Sequence, residues 1–177
     1  MAEEPWYAER RARWKPAKVR LLLIGESPPS DGGDVRNRHF FYDDCLTGDD
    51  GLFRQVVHAA FGVAKLPSGP RGKPSWLQKL KDRGVYVIDI APVPVNEADP
   101  ILRKAIVRAN VSACVAEALE LNPTGIIVCK TTVFEVLADP LRMAGPPLLH
   151  DRPIPFPGSG WQKVFRDEYR VASANLV

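Results

Sequence analysis

The sequence predicts an α/β fold: one three-layer α/β/α domain over residues 1–177, built around a four-stranded parallel sheet. Two observations carry this. Short apolar runs at "KVRLLLI", "VYVIDIAPVPV", "TGIIVCK" and around Ile154 read as strands buried on both faces. Segments with helical spacing separate them, and strands joined through helices pair in parallel by right-handed crossovers. Length agrees, because 177 residues that are 45% hydrophobic and 25% charged suit a single core.

The opening stretch "MAEEPWYAERRARWKP" is charged and lacks the apolar run of a secretory signal. No apolar run approaches the roughly 20 residues of a membrane span. A cytoplasmic monomer with no membrane partner is expected. The first strand runs from Lys18 to Ile24 and stops at Gly25. A glycine- and acid-containing segment follows to Asp50, too long for a plain connector, which suggests a binding loop.

"GLFRQVVHAAFG" has apolar residues at helical spacing and a stop at Gly62. "KPSWLQKLKDRG" gives a second helix, with Pro74 near its start and Gly84 at its end. The second strand ends between Asp89 and Ala91, because Pro92 and Pro94 cannot continue a central strand. Pro100 to Leu121 reads as one long helix with Ile101, Ala105, Val111, Val115 and Leu119 turned inward. After the third strand, "TTVFEVLADPLRMAG" is a helix cut by Pro140. A proline-rich stretch holding the fourth strand and the closing helix "WQKVFRDEYRVASA" complete the chain.

Net charge is +3, which permits nucleic-acid binding without demanding it. Basic residues cluster at Arg10 to Arg20, at Arg36, Arg38 and His39, and at Lys73 to Arg83; for any single cluster a solvated face is the better explanation. Cys45, Cys114 and Cys129 form no C-x-x-C pair and read as reduced thiols, so no metal site is expected from them.

In an open α/β sheet, ligands sit beyond the carboxyl ends of the strands. Here those ends carry "GESPP", "DIAPVPVN", "CKTT" and "PFPGSGW". The first is neither a phosphate-binding P-loop nor a dinucleotide fingerprint. It also lacks the second glycine of a hydrolase elbow, and Ser27 has no histidine in an obvious partnering context.

A strand ending in Gly25, Glu26, Ser27 and Pro28, with Phe40 and Phe41 about a dozen residues on, resembles the first motif of the uracil-DNA glycosylase superfamily. There the turn lies near the attacking water and the aromatic stacks on a flipped base. Asp89 stands where that family has a base-reading Asn. Pro157 matches the proline of its His-Pro-Ser loop, with Phe156 in the histidine position. The likeness extends from Lys18 to the final helix. It implies a cofactor-free DNA glycosylase with DNA as partner. The four cysteines that hold an iron–sulfur cluster in some branches are missing here.

The resemblance implies roles residue by residue. Glu26, Ser27 and Asp89 are the catalytic candidates, and Gly25, Phe40, Phe41, Asp89 and Phe156 would hold the base. Pro28, Pro29, Gly158 and Ser159 would clamp the DNA backbone. Arg36, Arg38, Lys130 and Thr131 would contact DNA, and Trp161 would act as the wedge behind a flipped base. Each has a plainer alternative. One of the two adjacent phenylalanines packs in the core, Glu26 caps its own turn, Asp89 bonds nearby backbone N–H groups, and Trp161 packs.

Three departures shape the expected chemistry. Ser27 replaces the water-polarising Asp of well-known members, which leaves Glu26 as the nearest carboxylate. Ionised Asp89 offers acceptors only and would repel O4 of uracil, so it favours the donors of cytosine or guanine; a protonated Asp89 with a raised pKa would restore the donor that uracil needs. Phe156 cannot donate a hydrogen bond to a departing base, although His150, Arg152, Lys130 or Thr131 could reach in. The sequence therefore implies a glycosylase of altered specificity. The alternatives are a binding protein on the same scaffold and a hydrolase of free nucleosides.

Overall fold

The computed structural model describes residues 3–176; residues 1, 2 and 177, at the ends of the expected domain, lie outside that description. The chain forms α1 (Pro5–Arg13), β1 (Leu21–Gly25), a short 3-10 turn (Val35–Asn37), α2 (Gly51–Phe61), α3 (Pro74–Asp82) and β2 (Val85–Asp89). Next come α4 (Pro100–Ala109), α5 (Val111–Leu121), β3 (Gly125–Val128), α6 (Thr131–Ala144) and α7 (Gln162–Ser173).

The sheet has three strands, not four, in the order β2-β1-β3, all parallel. Leu21 pairs with Val85 and with Gly125, so the three strands start level and their carboxyl ends finish together. Every residue of β1 and β3 is buried. Neighbouring strand residues point to opposite faces, so the sheet is covered on both sides.

The expected fourth strand near Ile154 does not form. Residues 147–149 run beside β3 and make one parallel bridge, between Leu148 and Ile126. There Pro147 O accepts from Ile126 N at 2.8 Å and Leu149 N donates to Ile126 O at 3.0 Å. One step further, His150 Nε2 replaces a backbone carbonyl and accepts from Val128 N at 3.0 Å. Pro153 and Pro155 have no N–H to extend a ladder, so Ile154 is buried in irregular chain.

Three helical expectations change. Pro100 to Leu121 is two helices broken at Asn110, whose side-chain amide donates to Ile106 O at 2.8 Å. The break resets the buried face: Val107, Cys114 and Ala118 are inside, whereas Ile101, Ala105 and Leu119 are exposed. Pro140 does not end α6, which runs on to Ala144. Packing of Val133, Leu137 and Leu141 into the core offsets the one hydrogen bond that proline removes.

The N-terminal helix has no counterpart in the sequence reading. Its buried stripe is Tyr7, Arg11 and Trp14, spaced as on one helix face. A charged residue in the middle of that stripe hides the amphipathic pattern.

Candidate active site

The carboxyl ends of the strands border a cavity of about 340 Å³, within the range of small-molecule sites. Gly25, Glu26 and Ser27 from the end of β1, Asp89 from β2 and Lys130 after β3 reach it. The long loop expected to bind does line it, through Pro28, Pro29, His39, Phe40, Phe41 and Asp50. Phe156 also lines it.

Glu26 is the electrostatic centre. Its Oε2 accepts from Lys130 Nζ at 2.6 Å, from Arg103 Nε at 2.9 Å and from Arg103 Nη2. Its Oε1 takes no hydrogen bond among the described residues. Burial resists ionisation of Glu26, but Arg103 and Lys130 outweigh it and hold the carboxyl below the ordinary glutamate range. Lys130 follows β3 and Glu26 follows β1, so their ion pair spans the point where the chain connections diverge to either side of β1. Arg103 comes from the first turn of α4, which Asp99 caps by accepting from Ile101 N and Leu102 N.

Asp89 is held differently. Its Oδ2 accepts from Arg11 Nη2 at 3.2 Å, and Arg11 Nη1 donates to Val87 O at 3.1 Å. Glu3 takes the rest of the same guanidinium, through Oε1 at 2.8 Å from Nη2. Burial pushes the Asp89 carboxyl above the ordinary aspartate range, with Arg11 opposing. Its other oxygen leans over β1: a Cβ on Gly25 would stand 2.5 Å from Asp89 Oδ1. Glycine at position 25 therefore lets the Asp89 carboxylate lie across the strand ends.

The aromatic wall is rigid. Phe40 meets Tyr7 edge-on at 5.1 Å between centroids and Tyr42 at 5.6 Å; Phe41 meets Phe53 at 5.3 Å. Both belong to the core, Phe40 3% and Phe41 9% exposed, so packing takes both phenylalanines and not one of the two; both still border the cavity. Beneath them, fully buried Lys73 donates to Asp50 Oδ1 and to Phe40 O, each at 2.6 Å. Lys73 had read as part of a surface basic cluster, but it is an internal strut. Burial pulls its ammonium below the ordinary range, with Asp50 opposing.

The remaining expected residues divide. Ser27 Oγ accepts from Val95 N at 3.3 Å and has no histidine partner among the described residues. Asn96 Oδ1 accepts from Ser30 N at 2.9 Å and pins the proline turn, while Pro29 O accepts from Tyr7 Oη at 2.8 Å. Arg38 faces inward to Asp31 and Glu4, and Arg36 is exposed but paired with Asp34. Thr131, Gly158 and Ser159 are not in the lining, and Thr131 and Ser159 are exposed. Phe156 is 43% exposed and Trp161 53%.

His150 does not reach the cavity. With Nε2 accepting from Val128 N, its Nδ1 donates to Arg152 O at 2.7 Å, so both ring nitrogens are committed to backbone. Arg103, Arg11 and Asn96 were missed as site residues. The Asp-Pro helix start at residues 99 and 100, right after the second strand tip, is the signal that places Arg103 near the site. The spacing of Tyr7, Arg11 and Trp14 is the corresponding signal for Arg11.

No family model, no curated protein and no solved structure matches this chain. The site must therefore be read from its own chemistry.

Proposed function

We propose that this protein is a DNA glycosylase-like hydrolase that takes a flipped, donor-bearing base into the cavity and cleaves its N-glycosidic bond. The observation that carries the reading is the Glu26 carboxylate, kept ionised by two cations, with Oε1 unbonded among the described residues, in a cavity that Phe40 and Phe41 also line. The order of the motifs from Gly25 to Pro157 supports it as a resemblance.

Phe40 and Phe41 supply a flat apolar face for the base. Asp89 Oδ1, the oxygen not bonded to Arg11, accepts a hydrogen bond from an N–H on the base edge. As the glycosidic bond lengthens, positive charge develops on the sugar, and ionised Glu26 stabilises it electrostatically. Glu26 Oε1 also orients the water. The water oxygen bonds to C1′, the bonding pair leaves with the base, and the water proton ends on the departing base. Glu26 is a weak general base because Arg103 and Lys130 depress its affinity for protons.

The test is base release from single- and double-stranded oligonucleotides carrying uracil, hypoxanthine, xanthine or modified cytosines, with abasic sites cleaved by alkali. Release of a donor-bearing base, lost in Glu26→Gln, is the expected result. Efficient release of uracil at neutral pH contradicts the specificity. The lock on Glu26 favours a second reading, a base-binding protein without hydrolysis. Silence across the panel with salt-sensitive DNA binding intact selects that reading.

A further inference from the structure

A second cavity lies at the opposite pole of the sheet, where β1 and β2 begin. It encloses about 380 Å³ between the last turn of α2, α7 and Leu176. Its walls are largely apolar, from residues such as Leu21, Val85 and Ala60. Three guanidinium groups, those of Arg20, Arg83 and Arg170, border it, and no carboxylate side chain does.

That arrangement differs from the ion pairs of the N-terminal half and the Glu26 site, and is like that of Arg54, which backbone carbonyls of Thr47 and Leu66 also hold. Arg10, Arg11, Arg13, Arg36, Arg38 and Arg103 each meet a carboxylate. Around this cavity, Arg170 meets only Asp167, at 3.6 Å, and Arg20 and Arg83 meet no carboxylate among the described residues. Backbone carbonyls hold the guanidiniums instead. Arg83 Nη1 donates to Ala60 O, Arg170 Nη2 to His58 O at 3.3 Å, and Arg20 Nη2 to Leu176 O. The carbonyls at the end of α2 thus fix two of the forks in place; Asp167 partly offsets the charge of Arg170, and no described carboxylate offsets that of Arg83. An arginine has five N–H donors; Arg20 and Arg83 each commit one to a described carbonyl and keep the others, whereas Arg170 also donates Nε to Ala59 O at 3.4 Å and keeps fewer.

The hydroxyl of Tyr169 adds a second polar feature. Tyr169 lines the cavity and is 3% exposed, yet its Oη makes no hydrogen bond among the described residues. Burial raises its pKa, so it remains a neutral O–H donor. Ser173, beside it, already donates to Tyr169 O at 2.7 Å.

We propose that this cavity binds a phosphomonoester, with the phosphate on Arg20, Arg83 and Arg170 and the organic portion against the apolar wall. A dianion suits the guanidiniums of Arg20 and Arg83, which no described carboxylate neutralises, with Arg170 beside them, and their planar forks match phosphate oxygens. A free nucleotide and the phosphorylated end of a nucleic-acid strand share this chemistry. The site is independent of the glycosylase reading, because it uses none of the residues around Glu26.

Titration calorimetry of the full chain at low salt tests it, with inorganic phosphate, a nucleoside 5′-monophosphate, and one oligonucleotide bearing either a 5′-phosphate or a 5′-hydroxyl. The monophosphate is expected to bind. Arg83→Gln and Arg170→Gln should each weaken it about tenfold, and Glu26→Gln should leave it unchanged. Tyr169→Phe, which preserves the packing volume, should weaken it severalfold and serves where an arginine variant fails to fold. A 5′-phosphate that tightens oligonucleotide binding identifies a strand end as the source; binding of the monophosphate alone identifies a free nucleotide. No binding of any phosphate probe at millimolar concentration, or equal affinity in wild type and all cavity variants, overturns the proposal.

Discussion

Arg11 Nη2 and Asp89 Oδ2 lie 3.2 Å apart although 78 residues of chain separate them. This contact ties the N-terminal helix to the tip of β2 and leaves Oδ1, beside Gly25, as the Asp89 oxygen that Arg11 does not bond. Both side chains are largely buried, so neither charge has water to fall back on.

Breaking that pair from one side should be costly. Arg11→Met leaves Asp89 and Glu3 without their shared guanidinium and should destabilise the protein by about 3 kcal/mol, read as a lower urea midpoint. Adding Asp89→Asn removes the stranded charge and should restore part of the loss. Equal stability of Arg11→Met and wild type would show that the pair contributes nothing.

Gly25 controls the same carboxylate from the other strand. In Gly25→Ala the new Cβ would stand 2.5 Å from Asp89 Oδ1, so the side chain must swing away. A stability loss of roughly 1–3 kcal/mol is expected, as in other overpacked sites. Base release or base binding should fall further than Asp89→Asn alone reduces it, because the blocked strand end also narrows the cavity.

Glu26 gives a pH signature. Its folded pKa is depressed, so its ion pairs contribute stability above the ordinary glutamate value of 4.5, and that contribution is lost as pH falls through the folded value. In Arg103→Gln the carboxyl titration, followed by carbon NMR, should move upward, and the acid limb of any base release should move with it. Arg103→Lys should restore part of the shift. An unmoved Glu26 titration in Arg103→Gln would mean that Lys130 alone holds it.

His150 predicts a second pH effect, at milder acidity. Burial lowers its pKa below the ordinary 6.5, and its Nε2 must stay unprotonated to accept from Val128 N. Above pH 6.5 the imidazole is neutral in both folded and unfolded chains, and its contribution is complete. As pH falls below that value the unfolded chain takes up a proton that the folded chain resists, and stability is lost until the folded pKa is passed. Urea midpoints of wild type should therefore drop more between pH 7.5 and 5 than those of His150→Gln, whose amide oxygen accepts the same bond without titrating.

Much of the scaffold was legible in the sequence. The apolar runs at Leu21, Val85 and Gly125 announced their strands, and Gly62 and Gly84 marked helix ends, with φ of 73° and 74°. The turn "GESPP" indicated where a ligand site would lie. Errors fell where a local pattern was ambiguous. The stretch around Ile154 is as apolar as an edge strand, but its prolines and His150 satisfy β3 in another way. Pro140 reads as a breaker until the core packing of α6 is known.

Within the site, the sequence named Glu26, Asp89 and Lys130, but neither the Glu26–Lys130 ion pair nor the arginines that hold the two carboxylates. Arg11 and Lys73 looked like members of basic surface clusters, and Arg103 like an ordinary helix residue. Their roles depend on contacts 78, 23 and 77 residues away. Local pattern was enough for three strands, most helix ends and the strand tip that borders the cavity, because apolar periodicity and turn residues act over a few neighbours. The number of paired strands, the charge state of Glu26 and the orientation of Asp89 came only with the folded chain. Each of those depends on burial and ion pairing between groups that only the folded chain brings within a few ångströms.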